Sequence, residues 1–106
     1  MQILQQGRIV EEDVVDSILR IMSNDQAMKI LRQTSNSPKS AWQISQESGI
    51  ALTQVYRWTR KLHKVGFLRI SGDTNSAGKK FFMYQSKINS IHIVLNSAPE
   101  TIIEFS

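Results

Sequence analysis

The sequence predicts an α+β fold, and three observations carry that reading. Helical periodicity runs through residues 12 to 65, strand-like segments take over after Gly66, and two Ser/Gln pairs stand three residues apart, where helices are expected to start. At 106 residues the chain reads as one domain. Within it we distinguish an N-terminal helix region (1–22), a core (23–87) and a C-terminal β-hairpin (88–106).

From Glu12 to Met22, Val14 or Val15, Ile18, Leu19 and Met22 recur at helical spacing. The acidic residues of the first turn sit where the helix dipole favours them. Ser23 and Gln26 have the spacing of a capping box, opening a second helix through Leu31 whose buried residues are expected to be Ala27, Ile30 and Leu31. Asn36-Ser-Pro38 closes it, because proline cannot continue a helix and pushes its predecessor towards extended geometry. A third, short helix is expected in Ser40-Ala-Trp-Gln-Ile-Ser-Gln-Glu-Ser-Gly49, with Ser40 and Gln43 as a capping box and Gly49 as its stop. Its apolar positions are Ala41 and Ile44, with Trp42 beside them.

Only Gly49 to Ala51 separate that helix from a fourth, Leu52-Thr-Gln-Val-Tyr-Arg-Trp-Thr-Arg-Lys-Leu-His-Lys64. At roughly 100° per residue, Val55, Thr59, Leu62 and Gly66 cluster on one side, while Thr53, Arg57, Arg60 and Lys64 cluster on the other. Gln54, Tyr56 and Lys61 flank the polar arc. Beyond Gly66, Phe67-Leu-Arg-Ile-Ser71 and Lys80-Phe-Phe-Met-Tyr84 have strand character around the polar loop Gly72 to Gly78. Helix, turn, helix, strand, loop, strand is the order of a winged helix-turn-helix with a two-stranded wing. In the tail, Ser90 to Leu95 and Thr101 to Phe105 alternate around a turn at Asn96-Ser-Ala-Pro-Glu100, which predicts a hairpin. An isolated hairpin is marginal in water, so it must pack on the domain, extend the wing sheet or pair with another subunit. Dimerisation is the favoured role.

Three stretches resemble the ArsR/MarR-like winged-helix transcriptional regulators, especially the small archaeal-type ones. They are Ser23 to Leu31, the pair Ile44-Ser45 through Gly49-Ile50, and Val55-Tyr-Arg through Leu62-His-Lys-Val-Gly-Phe-Leu68. The likeness covers about residues 13 to 87, and its Leu-x-x-x-Gly-Phe-Leu ending is the most specific part. It implies a sequence-specific DNA-binding regulator. Three positions depart from the family pattern. Ala51 stands where a Ser or Thr cap is usual, Leu52 replaces a common polar residue, and Thr59 takes the place of a usual Leu. Metal sensors of that family carry paired cysteines on the helix corresponding to Ala41 through Glu47, and this chain has no cysteine.

The missing cysteines exclude disulfides and thiolate metal sites, and they fit a reducing cytoplasm. His63 and His92 fall in different elements with no acidic cluster around either, so no metal or other cofactor is expected. A signal peptide and a membrane helix are not expected either, since no apolar run approaches spanning length. Net charge is +4, unevenly spread: −3 over residues 1–25, +9 over 26–87 and −2 in the tail. A basic centre between acidic ends suits a polyanionic partner.

A helix in the DNA major groove reads bases with its first turns and meets the backbone later. Thr53, Gln54 and Arg57 are therefore the base-reading candidates, Gln being suited to adenine and Arg to guanine. Arg60 and Lys61 are the phosphate candidates, joined by Tyr56, whose other reading is packing on the preceding helix, and by Lys79 and Lys80 at the wing. Trp58 is assigned to packing ahead of base stacking. No phosphate-cradling glycine loop or nucleophile triad is present, so an enzyme is not expected. The expected partners are double-stranded DNA and a second copy of the chain; no small-molecule effector is legible. The alternative is a winged-helix module that docks proteins in a transcription-related assembly.

Overall fold

A computed structural model describes residues 2–5, 8–10, 12–94 and 100–105, with side chains described from residue 16 to residue 91. The fold is α+β. In chain order it contains β1 (Gln2–Gln5), β2 (Arg8–Val10), α1 (Glu12–Met22), α2 (Asp25–Gln33), β3 (Lys39–Ser40), α3 (Ala41–Ser48), α4 (Leu52–Lys64), β4 (Leu68–Thr74), β5 (Lys80–Ser86), β6 (Ile88–Val94) and β7 (Glu100–Phe105).

The helices pack through one apolar core. Ile18 and Ile21 of α1, Ala27, Ile30 and Leu31 of α2, Ala41 and Ile44 of α3, and Val55, Trp58 and Leu62 of α4 are all buried, with Ile50, Phe67, Leu68 and Tyr84. The three residues expected inside α2 are there. In α1, Ile21 joins Ile18 in the core while Leu19 and Met22 are only partly covered. α2 starts differently from its expected capping box. Asn24 is the cap, its Oδ1 accepting from the Ala27 amide at 3.0 Å, while the Ser23 hydroxyl turns back to donate to the Arg20 carbonyl. Asn caps a helix as well as Ser does, and one residue later its Oδ1 reaches the free Ala27 amide. Gln26 is thereby released for another role.

Two sheets flank the helices. The first is antiparallel, in the order β3-β5-β4, with Ile70 opposite Tyr84 and Gly72 opposite Phe82. β4 runs on to Thr74, so the polar loop expected over Gly72 to Gly78 shrinks to residues 75–79. There the Asn75 Oδ1 accepts from the amides of Ala77 and Lys79, and Gly78 takes a φ of 78°, which favours glycine. β3 was not expected: Lys39 and Ser40 pair with Tyr84 and Met83 and tie the start of α3 to the sheet.

The second sheet has the order β2-β1-β7-β6. β6 and β7 pair antiparallel across the segments read as a hairpin, with Ile91 opposite Ile103. The turn expected between them lies mostly outside the described residues. Residues 2–10, taken as part of a helical region, instead supply two strands. β1 pairs in parallel with β7, Ile3 opposite Thr101, and antiparallel with β2. Among the described residues no helix is long and apolar enough to cross a membrane.

Candidate functional site

The site is built around the turn between α3 and α4. Gly49 ends α3 in the left-handed region at φ 76°, and its amide donates to the Ser45 carbonyl. The helix's serines lock the exit. Ser45 Oγ donates to the Ile50 carbonyl at 2.6 Å, Ser48 Oγ donates to the Ile44 carbonyl, and the Ile50 amide donates to Ser48 Oγ at 3.1 Å. Ile50 is thereby fixed in the core, and α4 leaves the turn in one direction. At the other end of α3 the capping box of Ser40 and Gln43 is complete, and Lys39 pairs with Glu47.

α4 has three kinds of surface. Val55, Thr59 and Leu62 form its buried face. Opposite them, Thr53, Arg57, Arg60 and Lys64 are all exposed, and at roughly 100° per residue they fall within one quadrant. None of the three cations there has a carboxylate partner among the described residues; the ion pair found among those residues is Lys39–Glu47. Lys64 stands on this face as firmly as Arg57 and Arg60, although it is not among the candidate contacts read from the sequence.

The flanks of α4 are less uniform. Gln54 is half-buried, so of the base-reading candidates it is the least accessible. Lys61 leans away from the exposed quadrant, its Nζ 4.9 Å from the centre of the Trp58 ring, and the Arg57 guanidinium lies 5.8 Å from the same ring. Trp58 is buried and its indole N–H donates to Gln26 Oε1 at 3.0 Å. The ring is thus a packing element with a satisfied donor. Tyr56, half exposed, lies on the opposite flank beside Thr59 and Tyr84.

That second flank gives Thr59 polar neighbours. A Leu at position 59 would be apolar; Thr59 is fully buried, and its hydroxyl donates to the Tyr56 carbonyl at 3.1 Å and is hydrogen-bonded to the Tyr84 hydroxyl. Burial raises the Tyr84 pKa above its ordinary 10.0, the Thr59 hydrogen bond works against that rise, and Tyr56 adds to it. Ala51 makes no side-chain hydrogen bond to the first amides of α4.

Between β4 and β5, Lys79 sits in the loop and Lys80 opens β5; both are exposed. Phe82 and Trp42 are each 63% exposed. His63 is exposed on α4, and the His92 side chain lies outside the described residues. Among the described residues no group of three or more His, Cys, Asp or Glu is arranged to hold a metal ion. The structure therefore brings Thr53, Arg57 and Arg60 onto one face, leaves Tyr56 and Lys61 on opposite flanks of it, and carries Lys79 and Lys80 on a separate element. Comparison with protein-family models and with curated proteins gives no match.

Proposed function

We propose that the chain is a winged-helix transcriptional regulator of the ArsR/MarR-like kind that binds double-stranded DNA through α4. The observation that supports this most is the exposed quadrant of Thr53, Arg57, Arg60 and Lys64, which has no carboxylate partner among the described residues and stands on a helix whose direction is fixed by the serine-locked turn. Thr53 and Arg57, in the first turns, are the base-reading side chains, with Gln54 at the edge of reach. Arg60, Lys64, Lys79 and Lys80 meet phosphates, and Tyr56 and Lys61 border that track. Such a protein works in the cytoplasm, without a cofactor and without catalysis.

Binding to random duplex at two salt concentrations tests the reading. Four or more phosphate contacts give a log–log slope of about −3.6 or steeper. Absence of binding at low salt, or affinity insensitive to salt, overturns it.

The regulator is proposed to act as a homodimer on an inverted repeat, with half-site centres about 10 base pairs apart. Sedimentation that shows one protein per specific site refutes the dimer. A second reading, docking to another protein of a transcription-related assembly, draws on Trp42 and Phe82, two large side chains left 63% exposed. DNA binding that is unchanged in Arg57→Ala and Arg60→Ala alike would favour it.

A further inference from the structure

β4 ends the three-stranded sheet: β5 lies along one side of it, and among the described residues no strand lies along the other. An open strand edge is a template for another strand, and folded proteins guard such edges with proline, lysine, a bulge or brevity. β4 has none of these guards. It is seven residues long, contains neither proline nor lysine, and pairs with β5 one to one from Leu68 opposite Ser86 to Thr74 opposite Lys80 without a shift in register.

What β4 carries is a pair of opposite charges placed symmetrically about Ser71. Arg69 and Asp73 are both exposed, and neither makes an ion pair among the described residues. The Asp73 carboxylate accepts from the next amide, that of Thr74, at 2.8 Å. Four residues of extended chain hold the two charges about 13 Å apart, too far to meet within one strand. In a second copy running antiparallel along the open edge, with Ser71 opposite Ser71, each Arg69 instead stands directly across from the partner's Asp73 on the same face of the sheet. The charge pattern is complementary to itself.

The other face agrees. Ile70 is 37% exposed and Phe82 63% exposed, and Gly72 stands opposite Phe82. A Cβ at Gly72 would meet nothing within 4 Å, and its φ is not positive, so the chain's own fold does not call for glycine there. In the same register Ile70 lies beside the partner's Gly72 with the partner's Phe82 next in the row, and the missing side chain leaves the space over which these two close.

We propose that the free edge of β4 pairs antiparallel with the β4 edge of a second copy, centred on Ser71, joining two three-stranded sheets into one of six strands. The contact uses no residue of α4, so DNA binding can fail with the pairing intact. It rests on the homodimer reading and gives that reading an interface, at β4 and not at the C-terminal hairpin to which the sequence assigned dimerisation.

Sedimentation equilibrium of the full chain without DNA, at low ionic strength, reads the association. One added strand pair is a small interface, so the dissociation constant is expected between about 1 μM and about 1 mM. Arg69→Glu and Asp73→Arg each set like charges opposite one another twice per dimer, and each is expected to weaken association about tenfold or more. An equimolar mixture of these two variants restores both opposite-charge pairs and is expected to associate as the wild type does, and so is the double variant Arg69→Glu/Asp73→Arg. Urea midpoints are expected to stay at the wild-type value, because both side chains are exposed. Dimers of unchanged strength in both single variants would overturn the edge pairing and leave the homodimer reading in place. A mixture that associates no better than either variant alone would overturn the pairing as well. A monomer at every concentration up to about 1 mM would overturn both, and would leave the edge to a strand of some other protein.

Discussion

α3 and α4 stand side by side and use their polar side chains in opposite ways. In α3 nearly every one is turned inward on the helix itself: Ser40 and Gln43 close its start, Ser45 and Ser48 hold its exit, and Glu47 is tied to Lys39. In α4 the cations of the exposed quadrant have no carboxylate partner among the described residues, and even the cap position is Ala51, whose side chain makes no capping hydrogen bond. A helix that consumes its own hydrogen-bonding groups is a support. One that leaves them open has them available to a partner.

The contrast holds only if α4 is anchored from its buried side, and that is where the largest effect is expected. Trp58→Ala removes a large buried ring and the donor to Gln26, and should cost about 3–5 kcal/mol in urea denaturation. Trp58→Phe keeps most of the volume and should cost about 1 kcal/mol. If both were neutral, α4 would not be held by this anchor and the exposed quadrant would have no fixed aim.

Arg57→Ala should leave stability within about 0.5 kcal/mol, as expected of an exposed side chain, while lowering discrimination between specific and random duplex by about 1–3 kcal/mol. Arg60→Ala should weaken both duplexes alike. Equal losses for Arg57→Ala on the two duplexes would remove its base-reading role.

Smaller effects test the contrast at the helix starts. Ser40→Ala should destabilise the protein by about 1 kcal/mol because it opens the α3 cap, and Thr53→Ala should be near neutral. Ala51→Ser should do the reverse for α4 and stabilise it by about 0.5 kcal/mol. A neutral Ser40→Ala would mean that α3 does not depend on its cap.

The smallest effect is confined to alkaline pH. The folded-state pKa of Tyr84 is raised above 10.0, chiefly by burial. Between the ordinary and the raised value the folded chain therefore holds a proton that the unfolded chain has lost, and stability falls as pH rises past about 10. Below that range the group contributes no pH dependence. Tyr84→Phe should flatten this alkaline decline, read as the urea midpoint between about pH 9 and about pH 11.

Much of this was legible because it is local. The Ser40/Gln43 pair, the Gly49 stop and the four-residue rhythm of α4 are short-range signals, and each appears where the sequence puts it. Asn24 was missed because Ser23 offers the same spacing to a neighbouring cap, and only backbone geometry chooses between them. The polar anchors of α4 were missed for a different reason. Trp58 meets Gln26 across 32 residues and Thr59 meets Tyr84 across a strand, so no periodicity connects them. β1 and β2 escaped because the four residues Gln2–Gln5 contain only two apolar ones, and their partner strand lies at the far end of the sequence. Of the site, the shared face of Thr53, Arg57 and Arg60 followed from helical spacing, whereas the turn of Lys61 towards Trp58 depended on side-chain packing that spacing does not encode.

The parallel ladder between β1 and β7 has a consequence in time. Gln2 meets Glu100 only after nearly the whole chain has been drawn into a loop, whereas the contacts between consecutive helices close over short spans. Loop-closure entropy makes such a ladder later to form than the local β1–β2 and β6–β7 pairings on either side of it. The β2-β1-β7-β6 sheet is therefore expected to assemble on a helical unit already in place. Its amides should exchange with solvent deuterium well before those of α2 and α4.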